Sequence, residues 1–183
     1  MLNVHLSGAM HCSKAVWELM REQQYGRIVM TISAAGLYGN FGQANYAAAK
    51  MALIGFMNVL HLEGMKHNIR VNAITPIAAT RMTEGLLPPA ALAAIQPERV
   101  TPGVLFLCSE HALSRIVLSA GGGSFAAATV MEAPPCHFED AELSPEGIAA
   151  RFDEIADSSR ARAYANSNEE VQRFLETALG AAR

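Results

Sequence analysis

Apolar positions recur at helical spacing over residues 6–20 (Met10, Val16, Leu19, Met20), and Tyr25-Gly26 ends that helix before an apolar, β-branched run, Arg27-Ile28-Val29-Met30-Thr31-Ile32. That run reads as a buried strand. Small residues fill Ser33 to Gly42, which reads as a loop, and Gln43 to Met65 reads as one long helix rich in Ala, Leu and Met. Ile69 to Thr75 (IRVNAIT), bounded by Asn68 and Pro76, reads as a second strand. Two strands joined through a helix make a βαβ unit with parallel strands, so the predicted class is α/β. Thr80 to Pro97 is polar and dotted with prolines, with short helical pieces, and is expected to be a lid. A helix from Pro102 to Glu110 and a third strand around Phe125 to Met131 follow. The tail differs in character. Ser144-Pro145 opens a short amphipathic helix, and Ser167-Asn168-Glu169-Glu170 has capping-box spacing for a last helix through Leu179, with Val171, Phe174, Leu175 and Leu179 on one face. The expected division is 1–135 for the sheet-bearing part and 136–183 for a helical extension. No internal repeat is visible.

Composition narrows the function. The 183 residues are 51% hydrophobic and 17% charged, the profile of a soluble globular domain. A net charge of -3, with 14 Lys and Arg scattered along the chain, offers no basic stripe for a phosphate backbone, so nucleic acid is not an expected partner. Cys12, Cys108 and Cys136 are an odd number without metal-ligand spacing, which fits a reducing cytoplasm. The N-terminus lacks the pattern of a secretory signal, and the apolar-rich stretch 116–131 is broken by polar residues and glycines, so no membrane span is expected.

The chemistry concentrates in GRIVMTISAAGLYGNFGQANYAAAK, residues 26–50. Tyr46 and Lys50 are four apart on a predicted helix and project from one face. An ammonium a few ångströms from a phenol favours the phenolate, as a general base requires. Ser33, at the end of the preceding strand, can hydrogen-bond a substrate oxygen as charge develops on it. A Tyr and a Lys four apart also occur on many solvated helices. The order strand, Ser33, glycine-containing loop, Tyr46-x-x-x-Lys50, with the serine thirteen residues before the tyrosine, resembles the active-site signature of the short-chain dehydrogenase/reductase family. The resemblance implies Tyr46 as catalytic acid/base, Ser33 as the residue polarising the carbonyl, and Lys50 as the ligand of the nicotinamide ribose. It also implies NAD or NADP as cofactor and an alcohol/ketone pair as substrate.

The likeness extends along the chain. NVHLSGAMHCSKAVW resembles the family's preceding helix, in which an asparagine holds a proton-relay water; His5 stands there, able to relay protons itself or to serve only as a helix-start residue. NIRVNAITPIAATRMTEG resembles the strand and turn that lie over the nicotinamide, which implies cofactor contacts at Pro76, Ile77 and Thr80, although Pro76-Ile77 replaces the family's Pro-Gly and Thr80 comes one residue early. Within the family, His5, GNFGQANYAAAK and AATRMT look most like the (3R)-hydroxyacyl-CoA dehydrogenase domains of multifunctional enzyme type 2, which implies an acyl-CoA substrate. The two long helices resemble those with which the family builds its dimers, which implies a homo-oligomer; a non-catalytic association module is the alternative reading.

The implied fold is the C-terminal half of a Rossmann-like doubly wound parallel sheet, with the N-terminal dinucleotide-binding half absent. The residue that would choose between NAD and NADP belongs to that half. Gly36, Gly39 and Gly42 have the wrong spacing for a phosphate cradle and read as small residues admitting substrate, and Gly121-Gly122-Gly123 precedes a strand rather than a helix. A three-stranded parallel remnant is expected, with an edge left open to association. His61 and His67, six apart, do not share a face and read as solvated rather than metal-binding; His5 and His11 are also six apart. Cys108 reads as a buried inert thiol, and Trp17 and the nine methionines as core or interface filling.

Overall fold

Ile69–Ile77 (β2) is buried along both faces over its first seven residues, apart from a half-buried Arg70, and an apolar run of that kind belongs at the centre of a parallel sheet. The computed structural model, which describes residues 1–81, 83, 85 and 87–181, places it there. A π-helical turn, Asn3–Ser7, leads into α1 (Gly8–Glu22). Strand β1 (Gly26–Thr31) pairs parallel to β2, and between them run a short helix α2 (Ala34–Tyr38) and the long α3 (Ala44–Gly64). Beyond β2 come α4 (Pro89–Ala94), α5 (Thr101–Cys108), β3 (Val117–Gly121) and β4 (Ser124–Ala128). The sheet order is β1-β2-β3-β4, with β3 parallel to β2 and β4 antiparallel to β3.

Helices pack on both faces of the sheet. Leu53, Ile54, Met57 and Leu60 recur at helical spacing on α3 and pack with Met30, Ile32, Val71 and Ala73 on one face. Trp17 and Met20 of α1 flank that cluster. On the other face Leu107 of α5 packs with Ile74, Val100 and Ala120. Helices on both sides of a largely parallel sheet make the α/β class expected from the sequence.

Four expectations are corrected in this part of the chain. The third parallel strand is Val117–Gly121, which the sequence reading missed; the strand expected at Phe125–Met131 is β4, a hairpin partner running the other way. Gly122 (φ 60°) and Gly123 (φ 80°) form a two-residue turn in which both positions need positive φ, so glycine suits both. The loop predicted from Ser33 to Gly42 contains α2. Cys108 is exposed at the end of α5, because the buried side of that helix is carried by Gly103 and Leu107. His61 and His67 are half-buried and bonded: His61 Nδ1 lies 2.9 Å from the Ser114 hydroxyl, and Arg21 Nε donates to His67 Nε2 at 3.4 Å. The expected lid falls partly on Met82, Glu84 and Leu86, which lie outside the described residues; α4 is its helical piece.

The chain divides into two units, Met1–Ala128 and Thr129–Arg183. In the second, α6 (Pro145–Ala150) starts where expected, with Ser144 accepting the Gly147 N–H at 3.0 Å. A one-turn helix, α7 (Phe152–Ile155), follows, and Arg151 between the two pairs with Glu154 and Glu142 and donates to Cys136 Sγ at 2.9 Å. Burial pushes the Cys136 thiol up from its ordinary value, and its hydrogen bond with Glu154 adds to this. The last helix, α8 (Ser167–Ala181), is capped one residue earlier than expected: Asn166 Oδ1 accepts the N–H groups of Asn168 and Glu169. Val171, Phe174, Leu175 and Leu179 are all exposed on it.

Candidate active site

Strand β1 delivers Ser33. Its backbone is still extended (φ −151°, ψ 148°), so it caps α2, and its Oγ accepts the Ala35 N–H at 3.2 Å. The hydroxyl proton is left over to donate. Tyr46 lies in the first turn of α3 and is half-buried, and Lys50 lies one turn further, 7% exposed. The Lys50 ammonium donates to the Thr31 carbonyl at the end of β1 at 2.7 Å and stands 5.7 Å from the Tyr46 ring centre. Burial pulls the Lys50 pKa below its ordinary value.

His5 completes the cluster. Its ring meets the Tyr46 ring edge-on, with centres 5.5 Å apart. The π-helical turn that carries it is a rare conformation, frequent at functional sites. Burial, and then the Lys50 charge, hold the His5 pKa below its ordinary value and favour the neutral imidazole. His5, Lys50 and Thr31 line a groove of about 280 Å³ that also touches Cys12 and Ser13.

The four residues expected to act chemically are thus brought together in two steps. His5, Tyr46 and Lys50 meet directly, and Ser33 is joined to them through α2, which packs on α3 at Gly36, against Lys50. Pro76 and Ile77 stand exposed at the carboxyl end of β2, one strand over from Ser33, the end where open parallel sheets receive ligands. The Ile77 side chain leans over Gly121, its register partner on β3, so the isoleucine found where the family has glycine is accommodated by a glycine across the ladder. Thr80 begins a turn in which its N–H donates to the Thr83 hydroxyl at 2.7 Å. Sequence reasoning missed the Thr31 carbonyl that tethers Lys50 and the close approach at Gly36; neither has a local signal. Among the described residues no group of three or more His, Cys, Asp or Glu is placed to hold a metal ion. Nor is any described helix long and apolar enough to cross a membrane.

A largely parallel α/β sheet whose first strand hands over to Ser33, and whose next helix carries Tyr46 and Lys50, defines the class: the chain belongs to the short-chain dehydrogenase family, whose model matches residues 1–89. It is 46% identical over 162 residues to a short-chain type dehydrogenase/reductase of Mycobacterium tuberculosis, covering 88% of this chain and 56% of that protein. It is 53% identical over 107 residues to the peroxisomal multifunctional enzyme type 2 of Mus musculus, covering 58% of this chain and 15% of that one. In three dimensions it matches the full-length peroxisomal multifunctional enzyme type 2 of Drosophila melanogaster with a TM-score of 0.87 at 32% identity, over 96% of this chain and 33% of that one. The chain therefore spans little more than half of one relative and a third or less of the others, and its fold is part of a Rossmann-like domain.

Proposed function

We propose that the chain carries the proton-transfer machinery of an NAD(P)-dependent oxidoreductase that interconverts a secondary alcohol and a ketone, with a 3-hydroxyacyl thioester as the substrate class. The observation that carries this reading is the buried Lys50 ammonium, tied to Thr31 beside Ser33 and set 5.7 Å from the Tyr46 ring. A buried lysine with a single backbone acceptor retains two N–H donors, which fits a ribose diol. Pro76, Ile77 and Thr80, at and just beyond the end of β2, are suited to back the nicotinamide. The residues present thus fit the nicotinamide–ribose end of the cofactor; its pyrophosphate end has no strand–glycine-turn–helix cradle in this sequence. When bound, the nicotinamide supplies or takes the hydride.

The chain's own residues do the rest. Ser33 donates its free proton to the carbonyl oxygen and orients it. Tyr46 gives that oxygen a proton in reduction and removes one in oxidation. Lys50 holds the ribose and keeps positive charge beside the phenol. Neutral His5, in the groove it shares with Lys50, passes the proton onward. The thioester assignment leans on the multifunctional enzymes and on a relative named 3-oxoacyl-[acyl-carrier-protein] reductase, 40% identical over 122 residues. Three cysteines without disulfides fit the reducing, cytoplasmic setting expected from the sequence.

A second reading, self-association through α1 and α3, has its own observation. A groove of about 420 Å³ between these helices, lined by Met10, Trp17, Phe56 and Leu60 with Ser13, Lys14 and Glu18 beside them, is the largely apolar surface a homo-oligomer of this kind would use. A thermal-shift titration of the chain with NAD, NADH, NADP and NADPH, repeated on Lys50→Ala, separates the two. A nicotinamide-dependent rise that Lys50→Ala removes supports the enzyme. A folded chain that self-associates and never responds to cofactor refutes it.

A further inference from the structure

Helix α2 is one turn long and begins at Ser33, so whatever fixes α2 fixes the serine. It meets α3 at Gly36. A Cβ built there would lie 3.0 Å from the Lys50 Cβ, 3.0 Å from the Met51 backbone nitrogen and 3.2 Å from the Lys50 carbonyl carbon. These atoms belong to the frame of a long helix and cannot swing aside as the tip of a side chain can. Carbon contacts relax at about 3.5–4.0 Å, so even a methyl group would drive the two helices apart by roughly 0.5 Å.

The two sides of this contact carry different parts of the chemistry. Ser33 moves with α2, because its carbonyl accepts the Gly36 N–H at 2.9 Å and its hydroxyl the Ala35 N–H. Tyr46 and Lys50 stay with α3, whose lysine is tethered to Thr31. We propose that Gly36 is a positioning residue: by having no side chain it sets the spacing between the Ser33 hydroxyl and the Tyr46–Lys50 pair. This rests on the roles given to those three residues above and adds one that no contact with substrate would reveal. It also replaces the sequence expectation for Gly36, since the glycine faces protein backbone rather than admitting substrate. Gly55 is the internal control, an exposed glycine of α3 with nothing within 4 Å of a built Cβ.

The test compares Gly36→Ala and Gly55→Ala in the full chain by steady-state kinetics with a 3-ketoacyl thioester, and by crystallography. A misplacement of about 1 Å costs on the order of a hundredfold, so Gly36→Ala is expected to lower kcat about tenfold. The cofactor KM should stay within about twofold, because Lys50 does not move. Gly55→Ala should change neither. In a Ser33→Ala background the Gly36→Ala loss should vanish, since the effect runs through the serine; a defect of folding alone would persist there. The Ser33 Oγ to Lys50 Nζ separation should lengthen by roughly 0.5 Å in the Gly36→Ala crystal structure. An unchanged separation, an unchanged kcat, or a loss that survives in the Ser33→Ala background overturns the inference. If Gly36→Ala does not fold, Leu37→Ala, which loosens α2 from the core without touching the contact, must lower kcat only when Ser33 is present. Absence of turnover in the unsubstituted chain would instead defeat the proposed function, and the crystallographic spacing would then decide on Gly36 alone.

Discussion

Asn72 sits in the middle of β2, fully buried among apolar residues, and both polar atoms of its side-chain amide have a partner. Its Nδ2 donates to the Leu113 carbonyl at 2.8 Å, and its Oδ1 accepts the Ile116 N–H at 2.9 Å. Around it, Arg115 N donates to Val71 O, Ala73 N donates to Ile116 O, and the Ser114 hydroxyl accepts the Val71 N–H. Residues 113–116 are thus buckled onto β2 before they enter β3. Replacing Asn72 by Ala deletes two hydrogen bonds worth about 1 kcal/mol each and leaves the Ile116 N–H without its acceptor, a further cost of about 1–3 kcal/mol. The expected loss is at least about 3 kcal/mol, against about 5–15 kcal/mol for a whole domain. Trp17 is the only tryptophan and packs against the core of the same unit, so its fluorescence reports unfolding of that unit in urea. With an m-value of about 2 kcal/mol/M, the midpoint should fall by at least about 1.5 M. A fall of less than about 0.3 M would mean that the buckle contributes nothing and that β3 is held by its strand pairing alone.

Three other perturbations test separate parts of the structure. Thr75 is 2% exposed and its hydroxyl has no hydrogen-bond partner among the described residues, so Thr75→Val should raise the urea midpoint, by an equivalent of about 1 kcal/mol; a lower midpoint would reveal a partner for the hydroxyl. A Cβ on Gly121 would come within 2.6 Å of the Ile77 Cβ and 2.8 Å of the Ile77 carbonyl oxygen, so Gly121→Ala should cost about 2 kcal/mol, and Ile77→Gly should restore part of it; additive losses would contradict the contact. Burial, and then the nearby Arg115, hold His61 below its ordinary value of 6.5, and burial does the same for His5. The unfolded chain therefore takes up more protons below pH 6.5, so stability is complete above that pH and declines beneath it. Urea midpoints at about pH 7.5 and about pH 5.5 should differ in that sense, and His61→Gln should narrow the gap; a midpoint that rises on acidification would reverse the assignment.

The order of strand, serine, loop, tyrosine and lysine was legible because each part is local. Period and β-branching marked β1 and β2, and the four-residue step from Tyr46 to Lys50 needs only a helix to become a pair. The polar Asn72 inside an apolar strand was visible too, but not its purpose, since its partners lie more than forty residues away. Strand β3 escaped because five residues, Val-Leu-Ser-Ala-Gly, carry too little β-branching to stand out, and the pairing that makes them a strand comes from β2.

The sequence by itself determined which chemical groups are present and in what order: a hydroxyl at a strand end, a phenol and an ammonium one helical turn apart, and an imidazole where the family has an amide. Only the tertiary structure decided how they meet. Lys50 is held by Thr31, nineteen residues earlier. Tyr46 is met edge-on by His5 from another helix, and the serine's distance from both is governed by a glycine whose neighbours lie fourteen and fifteen residues further on. Periodicity records how each segment divides between core and solvent, whereas these contacts join atoms on separate elements, and their geometry exists only after the sheet and helices have packed.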